Sequence, residues 1–90
     1  MLTLEKVKEF DRFGGNGDAW ERGWARPSTV LSNEEFVLIE RFLEDLLIIH
    51  RGLASSEYQA RAEERLRVSC EGVEVIDALR DMAIRLAPRR

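Results

Sequence analysis

Apolar residues recur along this chain at the three- and four-residue spacing of helices, and glycine-containing or polar stretches interrupt them. Near the start, Leu4, Val7 and Phe10 fall on one face, which predicts a helix over Leu4–Phe13. Thr3 supplies its cap, Glu5 sits at the positive end of its dipole, and Gly14–Gly15 stop it. From Gly14 to Ser32 the periodicity is lost. Asn16–Gly17 is a turn signal, Asp18 with Glu21 has the form of a capping box, and Pro27, Ser28 and Thr29 keep the chain open. One short helical turn over Ala19–Trp24 is all the order this stretch predicts.

The next stretch carries the clearest pattern. Ser32 with Glu35 forms a capping box, Leu31 can staple onto Phe36, and Gly52 is a stop signal, so a helix is predicted from Asn33 to about Arg51. Phe36, Ile39, Leu43, Leu46 and Leu47 make one broad apolar stripe, and Leu38, Phe42 and Ile49 make a second beside it. Val37 and Ile48 touch a third side. Only the strips around Glu40, Glu44 and Arg51, and around Glu34, Arg41 and Asp45, are polar. A helix apolar over so much of its circumference is wrapped by neighbours. It is either the centre of the fold or half of an interface.

A third helix is expected after Ser56, which with Gln59 offers another capping box; Tyr58, Ala62, Leu66 and Ser69 or Cys70 line one face. Glu57 with Arg61 and Glu63 with Arg67 add favourable i,i+4 pairs. The last helix is expected over about Val73–Leu86, with Val75, Leu79, Met82, Ala83 and Leu86 inward, Glu74, Asp77, Asp81 and Arg85 outward, and Pro88 as its close. Carried through without a break, the stripes of these two segments are about 120° apart at 100° per residue. That favours a corner at Cys70–Gly72 over a straight rod. A rival reading is a hairpin, because Leu66 to Ile76 also alternates around Glu71–Gly72. The pattern as a whole predicts an all-α domain spanning residues 1–90. It would be a small bundle of three to four helices around a central apolar helix at 33–51, with a long Gly- and Trp-containing loop at 14–32.

Composition narrows the picture. At 90 residues the chain is one domain, and a chain of this size buries only roughly 60–65% of its unfolded surface, so its core is small. An apolar content of 44% beside a charged content of 34% fits a globular soluble protein. No apolar run approaches the roughly 20 residues that span a bilayer, and the start lacks the basic head and apolar middle of a signal peptide. A cytoplasmic protein with no membrane partner is expected. Cys70 is the only cysteine, which excludes an internal disulfide. The net charge of −3 argues against duplex DNA as a direct partner.

Candidate chemistry is sparse. Structural zinc wants about four Cys or His ligands, and only His50 and Cys70 are present. Gly14–Gly15–Asn16–Gly17 is glycine-rich but lacks the Gly-Lys-Ser/Thr of a phosphate-binding loop. His50, in the last turn of the central helix, reads as a structural or capping residue, and Cys70 as a small buried filler. The paired acids Glu34–Glu35 and Glu63–Glu64 point in different directions. No catalytic group, cofactor site or metal site is predicted, and the chain reads as a non-enzyme.

The residues that remain are candidates for binding. Trp20 and Trp24 are four apart and share a side in a helical turn, with Arg22 and Arg26 alongside. They read either as a lid over a small core near Phe10 and Phe13, or as an interface hot spot, where Trp and Arg are enriched. With the Leu38–Phe42–Ile49 stripe they complete the set of predicted protein-binding residues. Three functional classes follow. The first is a protein-binding regulator or inhibitor acting by surface occlusion, as antitoxins, immunity proteins and phage anti-defence proteins such as anti-CRISPR proteins do. Its partner would be another protein, including a component of a nucleic-acid-processing complex. The second is a structural homo-oligomer that pairs the Leu38–Phe42–Ile49 stripe with a second copy. The third is a helix-turn-helix DNA binder reading with Arg61, Arg65 and Arg67, opposed by Glu57, Glu63 and Glu64 on the same helix.

Overall fold

A computed structural model describes residues 1–13 and 31–86 of the chain. Among them lie four helices: α1 (Leu4–Phe13), α2 (Asn33–His50), α3 (Ser56–Ser69) and α4 (Val73–Leu86). They form an all-α bundle. The predicted loop at 14–32 falls almost wholly outside the described residues, with its Asn16–Gly17 turn, its helical turn and its tryptophans; Pro88 lies outside them as well.

Each helix is set by local chemistry. The Thr3 hydroxyl accepts a hydrogen bond from the Lys6 backbone N–H at 3.3 Å, and Val7 N–H donates to the Thr3 carbonyl at 3.1 Å. At the head of α2 the capping box is complete. The Ser32 hydroxyl accepts from Glu35 N–H at 3.1 Å, and the Glu35 carboxylate accepts from Ser32 N–H at 3.2 Å. Its far end closes in a Schellman arrangement: Leu53 N–H donates to the Ile48 carbonyl at 3.1 Å and Gly52 N–H to the Ile49 carbonyl at 3.0 Å. Gly52 takes φ +73° to do so, a conformation that a side chain disfavours.

The start of α3 differs from the expected one. Ser55, not Ser56, is the cap, its hydroxyl accepting from Tyr58 N–H at 3.1 Å. Adjacent serines offer two registers, and the fully extended backbone of Ser55 (φ −70°, ψ 164°) takes the cap. The Gln59 side chain turns down the helix to Glu63 at 3.3 Å instead of back to the cap. Between α3 and α4 the chain makes a corner and not a hairpin. Cys70 is extended there and pairs with Leu2 in an isolated parallel bridge. Leu2 N–H donates to the Ser69 carbonyl at 2.7 Å and Glu71 N–H to the Leu2 carbonyl at 2.8 Å.

The core lies on α2, whose most extensive packing is against α4. Phe36, Ile39, Phe42, Leu43, Leu46 and Leu47 from α2 meet Val75, Leu79, Met82 and Ala83 from α4, with Val7 and Phe10 from α1 and Leu66 from α3. The Phe10 and Phe36 rings stand 4.7 Å apart, tilted by 46°, and join α1 to α2. Leu31 is buried in the same cluster as Phe36, as a staple requires. Polar ties reinforce the edges: Arg85 donates to Asp11 at 2.9 Å across α4 and α1, and Lys6 pairs with Glu35 across α1 and α2.

Candidate functional site

Two places on the described surface bring unusual groups together. The first is the α2–α3 junction. Asp45 sits on a strip of α2 that its sequence neighbours mark as polar, yet it is only 6% exposed. The hydroxyl of half-buried Tyr58 donates to Oδ1 of Asp45, and the Arg65 guanidinium donates to Oδ2 at 3.1 Å. Both carboxylate oxygens are thus engaged by α3, which suits a structural clamp. The hydrogen bond to Asp45, aided by burial, pushes the Tyr58 phenol above its ordinary range. Sequence reasoning missed this cluster, because i,i+4 patterning within a helix says nothing of which foreign side chain will arrive at a polar strip.

The second place is a shallow cleft of about 150 Å³ between the C-terminal halves of α2 and α4, lined by Leu46, Ile49, His50, Arg80, Ala83 and Ile84. Its floor is aliphatic and its rim carries the imidazole and the guanidinium. The periodicity of α2 places Ile49 and Leu46 there, one turn apart on neighbouring stripes; α4 adds Arg80, Ala83 and Ile84 at the same three-and-four spacing. Ile84 remains 49% exposed at its edge. Arg80 stands 3.7 Å from Asp77 and 3.9 Å from Glu63, ion pairs too long to be hydrogen bonds. A second groove of about 250 Å³ between α1 and α4 is lined by Leu4, Val7, Lys8, Asp11, Ala78, Asp81, Met82 and Arg85, and the Arg85–Asp11 hydrogen bond links its two walls.

The predicted binding residues fare unequally. Trp20, Arg22, Trp24 and Arg26 lie outside the described residues. Phe42 is 0% exposed, so in this fold it packs the core and offers no surface. Leu38 and Ile49 are half-buried, Leu38 packing against the core and Ile49 lining the cleft. The middle of the second stripe of α2 therefore belongs to the core, and the stripe is not one continuous free face. His50 is exposed and joins the cleft. Cys70 is buried at the corner, and burial pushes its thiol pKa up, away from the reactive thiolate. Two of the three arginines proposed to read DNA are engaged by acids: Arg65 by Asp45 and Arg67 by Glu64.

Among the described residues, no three His, Cys, Asp or Glu side chains converge so as to hold a metal ion. Among the same residues, no helix is long and apolar enough to cross a membrane. No protein-family model, curated protein or solved structure matches this chain.

Proposed function

We propose that this chain is a non-catalytic protein-binding module that acts by covering the surface of its partner. The observation that carries this reading is the α2–α4 cleft, with its aliphatic floor, its half-exposed Ile84 and its polar rim of His50 and Arg80. Small-molecule and cofactor sites run to about 300–1,000 Å³, and a cleft near 150 Å³ falls well short of that. It suits one apolar side chain; an enclosed apolar cavity of about this size accepts a benzene ring. An apolar hole beside a polar rim is also the layout of an interface anchor point. In this role the chain is a regulator or inhibitor of the antitoxin, immunity or phage anti-defence kind, with Trp20 and Trp24 as a second set of anchors.

The test is capture of partners by the tagged full chain from a bacterial lysate, with and without nuclease, read by mass spectrometry. A stoichiometric protein retained after nuclease and lost with Ile84→Asp, while helicity by circular dichroism is unchanged, is the expected result. A partner set that vanishes with nuclease, or one indifferent to Ile84→Asp and to Trp20→Ala and Trp24→Ala alike, overturns the reading.

A further inference from the structure

The outward face of α4 carries a pattern that the core does not use. Val73, Asp77, Arg80 and Ile84 follow one another at intervals of four, three and four residues, which places them on a stripe about 60° wide. All are open to solvent: Val73 is 70% exposed and Ile84 49%, and the side chains of Asp77 and Arg80 are 61% and 45% exposed. Alternating steps of three and four are those of a coiled-coil seam.

The order of the four is apolar, acidic, basic, apolar, and it is complementary to itself in reverse. Laid antiparallel on a second α4 about a two-fold axis, Val73 of each copy meets Ile84 of the other, and Asp77 of each meets Arg80 of the other. A parallel pair would instead set Asp77 against Asp77 and Arg80 against Arg80, which like-charge repulsion opposes. The α2–α4 cleft lies at the Ile84 end of the stripe, so the exposed Val73 of the second copy has a hole to enter. The long contacts of Arg80 to Glu63 and Asp77 leave its guanidinium able to turn outward.

We propose that α4 pairs antiparallel with α4 of a second copy through Val73, Asp77, Arg80 and Ile84, with the cleft receiving the second copy's Val73. This deepens the protein-binding reading, on which it rests, by naming a second copy of the chain as the occupant. One face of a 14-residue helix buries less than the roughly 1,200 Å² of a stable interface. The dimer is accordingly weak, with a dissociation constant on the order of micromolar or above.

The test is analytical ultracentrifugation of the purified full chain, from about 0.5 µM to about 1 mM so as to start below that range. The mass is expected to climb from 10.4 kDa toward twice that value. Asp77→Arg and Arg80→Asp should each hold it at the monomer, since each leaves a seam of one sign. An equimolar mixture of those two variants should restore the dimer as a heterodimer, an outcome that mere loss of folding in either variant cannot produce. A wild-type monomer across the whole range overturns the pairing, and so does a dimer indifferent to the single reversals. If the chain is a monomer yet still captures a foreign protein through Ile84, self-pairing fails while the protein-binding reading stands; a monomer with no cleft-dependent partner overturns both.

Discussion

Helices α2 and α3 are neighbours in the chain and are held in place in opposite ways. Of the 18 residues of α2, seven are buried, and six of those are apolar. Of the 14 residues of α3, only Ala62 and Leu66 are buried. What α3 lacks in apolar contact is supplied by its Ser55 cap, the Asp45 clamp and exposed ion pairs such as Glu64–Arg67. Exposed ion pairs contribute little, typically about 0–1 kcal/mol each, so the clamp is the principal polar tie. The contrast implies a gradient of stability: α2 opens only when the whole fold opens, and α3 can loosen before it.

That gradient can be broken first where it is steepest. Phe42→Ala removes a wholly buried ring from the middle of α2 and is expected to cost about 3–5 kcal/mol. In a domain whose total stability is about 5–15 kcal/mol, urea denaturation should show a large drop in midpoint. A midpoint close to that of wild type would mean that α2 is not the common core.

Asp45→Ala sharpens the comparison. Removing the acceptor leaves the Tyr58 hydroxyl and the Arg65 guanidinium without their partner, at an expected cost of about 1–3 kcal/mol. Hydrogen exchange should quicken in α3 well before it does in the centre of α2. Equal loss of protection in both helices would show that the clamp serves the whole bundle and not α3 in particular.

The smallest effect concerns Glu35. Burial raises its pKa, but the Lys6 ammonium and the Ser32 backbone and hydroxyl donors outweigh this and hold the carboxyl below its ordinary value. A lowered folded-state value means that its contribution is fully present above the unfolded carboxylate pKa. The contribution is lost as pH falls through the folded value. Thermal melts at descending pH should therefore show Lys6→Ala and wild type converging in acid, with wild type slightly the more stable at neutral pH. A gap between the two that persists unchanged in acid would assign the Lys6 effect to something other than this pair.

The same contrast explains what the sequence made legible. The bounds of α1, α2 and α4 follow from strong periodicity framed by Thr3, Ser32 and Gly52 and by the phase change at Gly72, signals that act within a few residues. The start of α3 slipped by one because Ser55 and Ser56 are chemically alike, and only backbone geometry separates them. The stripes of α2 announced a wrapped helix but not how far round the wrapping goes; Phe42, which had read as interface, lies wholly in the core. Asp45 looks like solvent-facing polarity until Tyr58 and Arg65 cross over it. Of the cleft, the Ile49 wall was visible in the α2 pattern. Its Ile84 wall was not, since it depends on where α4 comes to lie after the corner.

The bridge between Leu2 and Cys70 bears on the order of folding events. Its two halves are 68 residues apart in a sequence of 90, so closing it incurs the entropy of a long loop. Such a contact forms late, after the local helices and their hairpin-like pairings are in place. Until the corner before α4 exists, Leu2 has no site, and the apolar face of α1 has only part of the surface it will finally cover. Because α4 is synthesised after α1, part of that face stays uncovered until α4 arrives, and in that interval it is open to chaperones and to misassociation.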